Sequence, residues 1–124
     1  MYIDSSFYNK LHELHVKPFC WQTNNCGIFV GHMLEHMYNK DFLSSYLDKC
    51  IDETSSMQII SDAGGWDNIL ASAGFEKRTD DTIHVGDVVL AENGIGIWDG
   101  SKGLFAGRAF RRRDNIASTY FYKE

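Results

Sequence analysis

At 124 residues the chain has apolar side chains enough for one core and not for two, so a single domain over 1–124 is expected, with 1–17 as an N-terminal helical extension. A composition of 44% hydrophobic and 23% charged residues, with eleven glycines and the single proline Pro18, argues against disorder beyond the termini. The formal charge of −5 excludes a general nucleic-acid binder, which needs surplus Lys and Arg to displace counterions from phosphates.

The cysteines Cys20, Cys26 and Cys50 are odd in number and show no metal-knuckle spacing, which points to reduced thiols and assembly in a cytosol. "MYIDSSFYNKLHELHVK" lacks the basic start and apolar core of a signal peptide. No apolar run approaches the roughly 20 residues that span a bilayer.

In chain order, a short helix is expected from Ser5 to His15, ended by Pro18, and "FCWQTNN" reads as a loop. From Cys26 the apolar positions Cys26, Phe29, Val30, Met33, Leu34 and Met37 follow the amphipathic-helix template, with Asn24 or Asn25 as N-cap. Asp41 is placed to cap a second helix with the stripe Leu43, Tyr46, Leu47, Cys50 and Ile51. A third helix fits Ser55 to Asp62, closed by Gly64 and Gly65, and a fourth fits Trp66 to Ala73, stopped by Gly74.

Beyond Gly74 the period changes. "DVVLA" and "IGIWD" read as a hairpin joined through Asn93-Gly94, a dipeptide suited to positive φ at both central positions of a type I′ turn. "GLFAG" (Gly103 to Gly107) and "STYFY" (Ser118 to Tyr122) read as further strands. Helices first and strands after predict an α+β domain with helices packed on one face of an antiparallel sheet.

Cys26 at a helix start has a physical reason to be reactive, since the unpaired N–H groups there favour thiolate over thiol. It also belongs to the apolar stripe, and free cysteine is among the most buried residue types. Both readings stay open on spacing alone. The run "HMLEH", His32 to His36, matches the H-x-x-E-H pattern of inverted zinc peptidases but lies on the polar side of its helix and lacks a third ligand, so a solvated face is expected and no metal or other cofactor. Arg111, Arg112 and Arg113, with Arg108 nearby, form the one basic run, which reads first as a solvated face and otherwise, as interface candidates, favours an acidic protein partner. Of Trp21, Trp66 and Trp98, most are expected in the core, with Trp21, in the loop before Cys26, as the one at a substrate-binding surface.

"PFCWQTNNCGIFVGHML", "DAGGWDNILASAGF" and "GDVVLAENGIGIWDG", in this order, resemble the NlpC-type cell-wall cysteine peptidases, in particular an uncharacterised branch encoded by tailed phages. The resemblance runs from about Pro18 to the end. It implies a papain-like fold with Cys26 as nucleophile at a helix N-terminus and a general-base histidine near Gly94, opening the strand "IGIW". No histidine stands there. His84 precedes the other strand of the hairpin, some 20 Å from that position at about 3.3 Å per residue. His12 and His15 belong to the N-terminal segment, which sequence does not place. Glu92, at the turn, would raise a thiol pKa rather than lower it. Asn25 stands where active members often carry an aspartate.

What the resemblance implies for function is a tailed-phage protein of the tail tip or baseplate, assembled in the host cytoplasm and carried in the virion, with other tail proteins as partners. Two roles follow. One is a structural adaptor with a degenerate site. The other is a peptidoglycan endopeptidase in which Cys26 attacks a stem-peptide amide and its own backbone N–H serves the oxyanion.

Overall fold

The computed structural model describes residues 3–48, 52–92 and 94–123. Helix α1 (Ser5–His15) begins where the Asp4 carboxylate accepts the Phe7 N–H at 3.1 Å. It is no appendage, because Phe7, Leu11 and Leu14 on its inner face are buried in the main core. Helix α2 (Cys26–Tyr38) follows the expected stripe: Phe29, Val30, Met33 and Leu34 are fully buried, each worth roughly 1.5–3 kcal/mol relative to exposure. Asn39 ends it in the left-handed conformation that asparagine tolerates, at φ 54°.

The second expected helix is shorter than its pattern. Helix α3 spans only Ser44–Leu47, with Asp41 accepting the Ser44 N–H and Leu43 buried. The side chains of Tyr46 and Leu47, together with Cys50 and Ile51, lie outside the described residues. Helix α4 (Glu53–Asp62) starts two residues before the expected Ser55, since Asp52 and Ser55 form a reciprocal capping box. Helix α5 (Gly65–Ser72) buries Ile69 and Leu70.

The strands are β1 (Phe75–Lys77), β2 (Val88–Ala91), β3 (Gly94–Trp98), β4 (Gly103–Leu104), β5 (Phe110–Arg111) and β6 (Ser118–Tyr122). They form one antiparallel sheet in the order β1-β6-β2-β3-β4-β5, so the last strand inserts between the first and second. The domain is therefore α+β, with α1 and α2 packed together and α2 laid on β3. Alternation sorts the side chains: Val88, Leu90, Ile95 and Ile97 join the helices, while Val89 and Trp98 pack with Phe105 in a smaller cluster.

Three local features differ from the pattern reading. In the hairpin Ala91 pairs with Gly94, which leaves Glu92 and Asn93 as the connection and makes Gly94 a strand residue rather than a turn residue. Asn93 itself lies outside the described residues. "GLFAG" is a strand only at β4 and then turns at Ala106–Arg108, and the short strands β1 and β5 carry too few residues to show a period.

The Gly-Asp lead of β2 has a structural use. Asp87, buried, is gripped by Arg78 through Nε at 2.5 Å and Nη2 at 3.0 Å, and accepts the His84 N–H at 2.9 Å. Arg78 in turn lies over the Phe121 ring at 4.6 Å. Arg78→Met should lower the unfolding free energy by about 3–5 kcal/mol, because it strands a buried carboxylate without its partner. A urea titration checks this, and a loss below about 1 kcal/mol would contradict the pairing.

Candidate functional site

The loop before α2 is fixed by its two asparagines. Buried Asn24 donates from Nδ2 to the carbonyls of Lys17 and Pro18 at 3.1 and 3.0 Å, and its backbone pairs with Cys20 in a short bridge. Asn25 works in two directions. Its Oδ1 accepts the Ile28 N–H at 2.9 Å as the α2 N-cap, while its Nδ2 donates to the Trp21 carbonyl at 2.8 Å. An aspartate would serve the first role and not the second, having no donor. This is a physical reason for an amide at the position before Cys26.

Cys26 sits at the first turn of α2, half-buried between the two apolar clusters. The strand residue facing it is Gly94: a Cβ there would stand 3.4 Å from Cys26 Sγ and 3.4 Å from the Phe105 ring. The close approach of helix start to strand start is thus made at a glycine. Burial pushes the Cys26 thiol up, against the pull of the backbone N–H groups of Ala106 and Ile95, the Arg111 charge and its own backbone N–H. Burial therefore favours the thiol form of Cys26 over the thiolate. Cys20 is the opposite case. It is exposed, and the Thr23 hydroxyl, with the N–H groups of Gln22 and Thr23, draws its thiol down.

No histidine is among the groups that act on the Cys26 thiol within the described residues. His15 comes nearest in the network: its Nδ1 meets the Phe105 carbonyl at 2.9 Å, and the N–H of that same peptide unit, on Ala106, is one of those facing the sulfur. His84 stands at the far end of β3, where Gly86 donates to the Trp98 carbonyl. His12 and His32 are exposed, and His36 Nε2 shares a hydrogen bond with Ser6 Oγ at 2.8 Å. Among the described residues no cluster of three or more His, Cys, Asp or Glu is arranged to hold a metal ion.

Cys26 opens onto a cleft of about 540 Å³. The loop contributes Phe19 and Trp21, α4 contributes Glu53, Ser56, Met57 and Ile60, α5 contributes Trp66, and the hairpin contributes Ala91, Glu92 and Gly94. Phe19 and Trp21 meet edge to face at 4.8 Å. Trp21 and Trp66 both line this cleft, whereas Trp98 is buried in the smaller core cluster. Gly107, at φ 76°, passes so close beneath Phe19 that a Cβ would fall 2.8 Å from Phe19 Cβ, and this turn presents the Ala106 N–H. Trp66, expected in the core, lines the cleft instead, and the contributions of Ser56 and Met57 have no sequence signal, since they reach it only through the packing of α4 and α5 beside the loop.

The basic run divides. Arg111 and Arg112 line a hollow of about 430 Å³ with Glu92, Phe110 and Asn115. Arg108 turns away to donate from Nε to the Val16 carbonyl at 3.0 Å. Arg113 lines a separate hollow that also holds Arg78, Asp80 and Asp81.

Among proteins of known sequence families, residues 4–117 match the profile described as Domain of unknown function (DUF6950). No curated protein and no solved structure matches the chain.

Asn25→Asp should destabilise the fold by about 1–3 kcal/mol, because it sets a carboxylate against the Trp21 carbonyl while keeping the helix cap. Thermal or urea unfolding of the variant checks this. A stability equal to that of the parent chain would show that the Trp21 bond contributes nothing.

Proposed function

The chain belongs to the DUF6950 family, and we propose that it is a binding domain of NlpC-type, papain-like architecture that serves as an adaptor among the tail-tip or baseplate proteins of a tailed phage. In this reading it is assembled in the host cytoplasm and carried in the virion tail. The cleft binds and does not cleave.

The observation that carries the non-hydrolytic part is the pairing of Cys26 with Gly94. Attack by a thiol needs a base within about 3 Å or a neighbouring imidazolium to hold the thiolate. The residue whose side chain would point at Sγ is a glycine, and burial disfavours the thiolate. The architecture is supported by the arrangement of α2 against β3, with a helix-opening cysteine facing the first residue of the second hairpin strand. The placement in a phage tail rests on the sequence resemblance.

One observation favours the rival reading of a peptidoglycan endopeptidase. Backbone N–H groups of Ala106, Ile95 and Cys26 face the sulfur, an arrangement that would stabilise negative charge on a nucleophile. Those donors are outweighed by burial in the direction of the thiol shift, and no histidine accompanies them among the described residues.

Dye-labelled peptidoglycan separates the two. The purified chain should release no more dye than its Cys26→Ala variant, over hours and from pH 5 to 9. Release that disappears on Cys26→Ala would establish the hydrolase and end the adaptor reading of the cleft.

A further inference from the structure

We infer that the cleft beside Cys26 and the basic hollow adjoining it form one docking groove, whose occupant is a short acidic segment of a partner protein carrying a single large apolar anchor. The inference rests on the binding reading of the cleft given above and names the chemistry of what binds.

The anchor follows from the walls. Phe19, Trp21, Ile60 and Trp66 make an apolar lining, and Met57 on the same wall is 61% exposed. A large hydrophobic side chain held in solvent beside a concave apolar surface gains by being covered. Ser56 adds a polar requirement. It is 3% exposed, lines the same cleft, and its Oγ has no hydrogen-bond partner among the described residues. A peptide backbone entering the cleft brings both N–H and C=O groups, either of which a hydroxyl can satisfy.

The acidic character follows from the hollow next door. Glu92 lines both concavities, so the two adjoin at that residue. In the hollow, Arg111 and Arg112 make no ion pair among the described residues: Arg111 donates to the Phe110 carbonyl and lies 5.8 Å from the Phe105 ring centre. On a chain whose net charge is −5, two guanidinium groups that outnumber the one carboxylate of their hollow, Glu92, beside an exposed Phe110, are a local match for carboxylates. The balance of charge sets the polarity of binding: the cleft holds the carboxylates of Glu53 and Glu92 with no cation beside them among the described residues that line it, whereas the hollow sets the same Glu92 against two arginines. A carboxylate is therefore opposed in the cleft and outweighed by cations in the hollow, so the apolar anchor occupies the cleft and the acidic residues lie over Arg111 and Arg112.

The test is selection of a soluble random heptapeptide library on the full chain, with recovered peptides sequenced by mass spectrometry and resynthesised for anisotropy titration. Enriched peptides should pair Phe, Trp, Leu or Met with Asp or Glu within about three residues, the reach of an extended strand across adjoining hollows. The best of them should bind at least tenfold more weakly to Arg111→Ala/Arg112→Ala and to Met57→Asp, all exposed positions whose replacement leaves the core intact. Binding should also weaken as salt is raised. No enrichment, enrichment indifferent to acidic residues, or affinity unchanged in the arginine variant would overturn the groove. Recovery of the enriched peptides in cut form would uphold the groove and overturn the non-cleaving reading on which it rests.

Discussion

The contact on which this structure depends is the approach of the α2 N-terminus to the first residue of β3. Helix α2 supplies the central stripe of the core, and β3 supplies Ile95 and Ile97 beneath it, so the spacing of these two elements governs how well the interior closes. At the open end of that interface Cys26 meets Gly94, the smallest possible neighbour. Asn25 holds the helix start with one side-chain atom and the preceding loop with the other. The loop then delivers Phe19 and Trp21 to the rim of the cleft. Packing and site are therefore one construction.

This construction sets the chemistry as well. A cysteine at a helix N-terminus is ordinarily made more acidic by the unpaired N–H groups around it. Here the donors are in place, and burial beside Phe105 and the core reverses their effect. His15 contributes only through the Phe105–Ala106 peptide unit, on the carbonyl side, while the amide side faces the sulfur. That geometry orients a backbone dipole at the sulfur. The cationic and apolar surface nearby lies in the hollow with Arg111 and Arg112 and on the exposed wall of α4, which is what the proposed recognition role draws on.

Much of this was legible from the chain. The α2 stripe, its asparagine cap, the α1 limits, β6 and the β2–β3 pairing all follow from periodicity and capping residues, because those elements are long or sharply patterned. The turn was misread by one step, since Asn93-Gly94 has the chemistry of a tight turn, while tertiary contact with Cys26 and Phe105 explains the glycine better. Strands β1 and β5 are too short to carry a period, and β5 lies inside the basic run, where charge hides a sheet edge. Cys26 stood out by its position. The other walls of the cleft did not, because Ser56, Met57 and Trp66 come together only when α4 and α5 pack beside the loop, and no local pattern encodes that meeting.

The most direct measurement of the central claim is the rate of Cys26 alkylation by iodoacetamide as a function of pH, with Cys20 and Cys50 replaced by serine so that the exposed, more acidic Cys20 thiol does not report instead. The account predicts a slow rate at neutral pH that keeps climbing past the ordinary thiol pKa of about 8.5, in line with a thiol raised by burial. A rate plateau that persists down to about pH 7 or below would mean a stabilised thiolate, and would return Cys26 to the role of nucleophile.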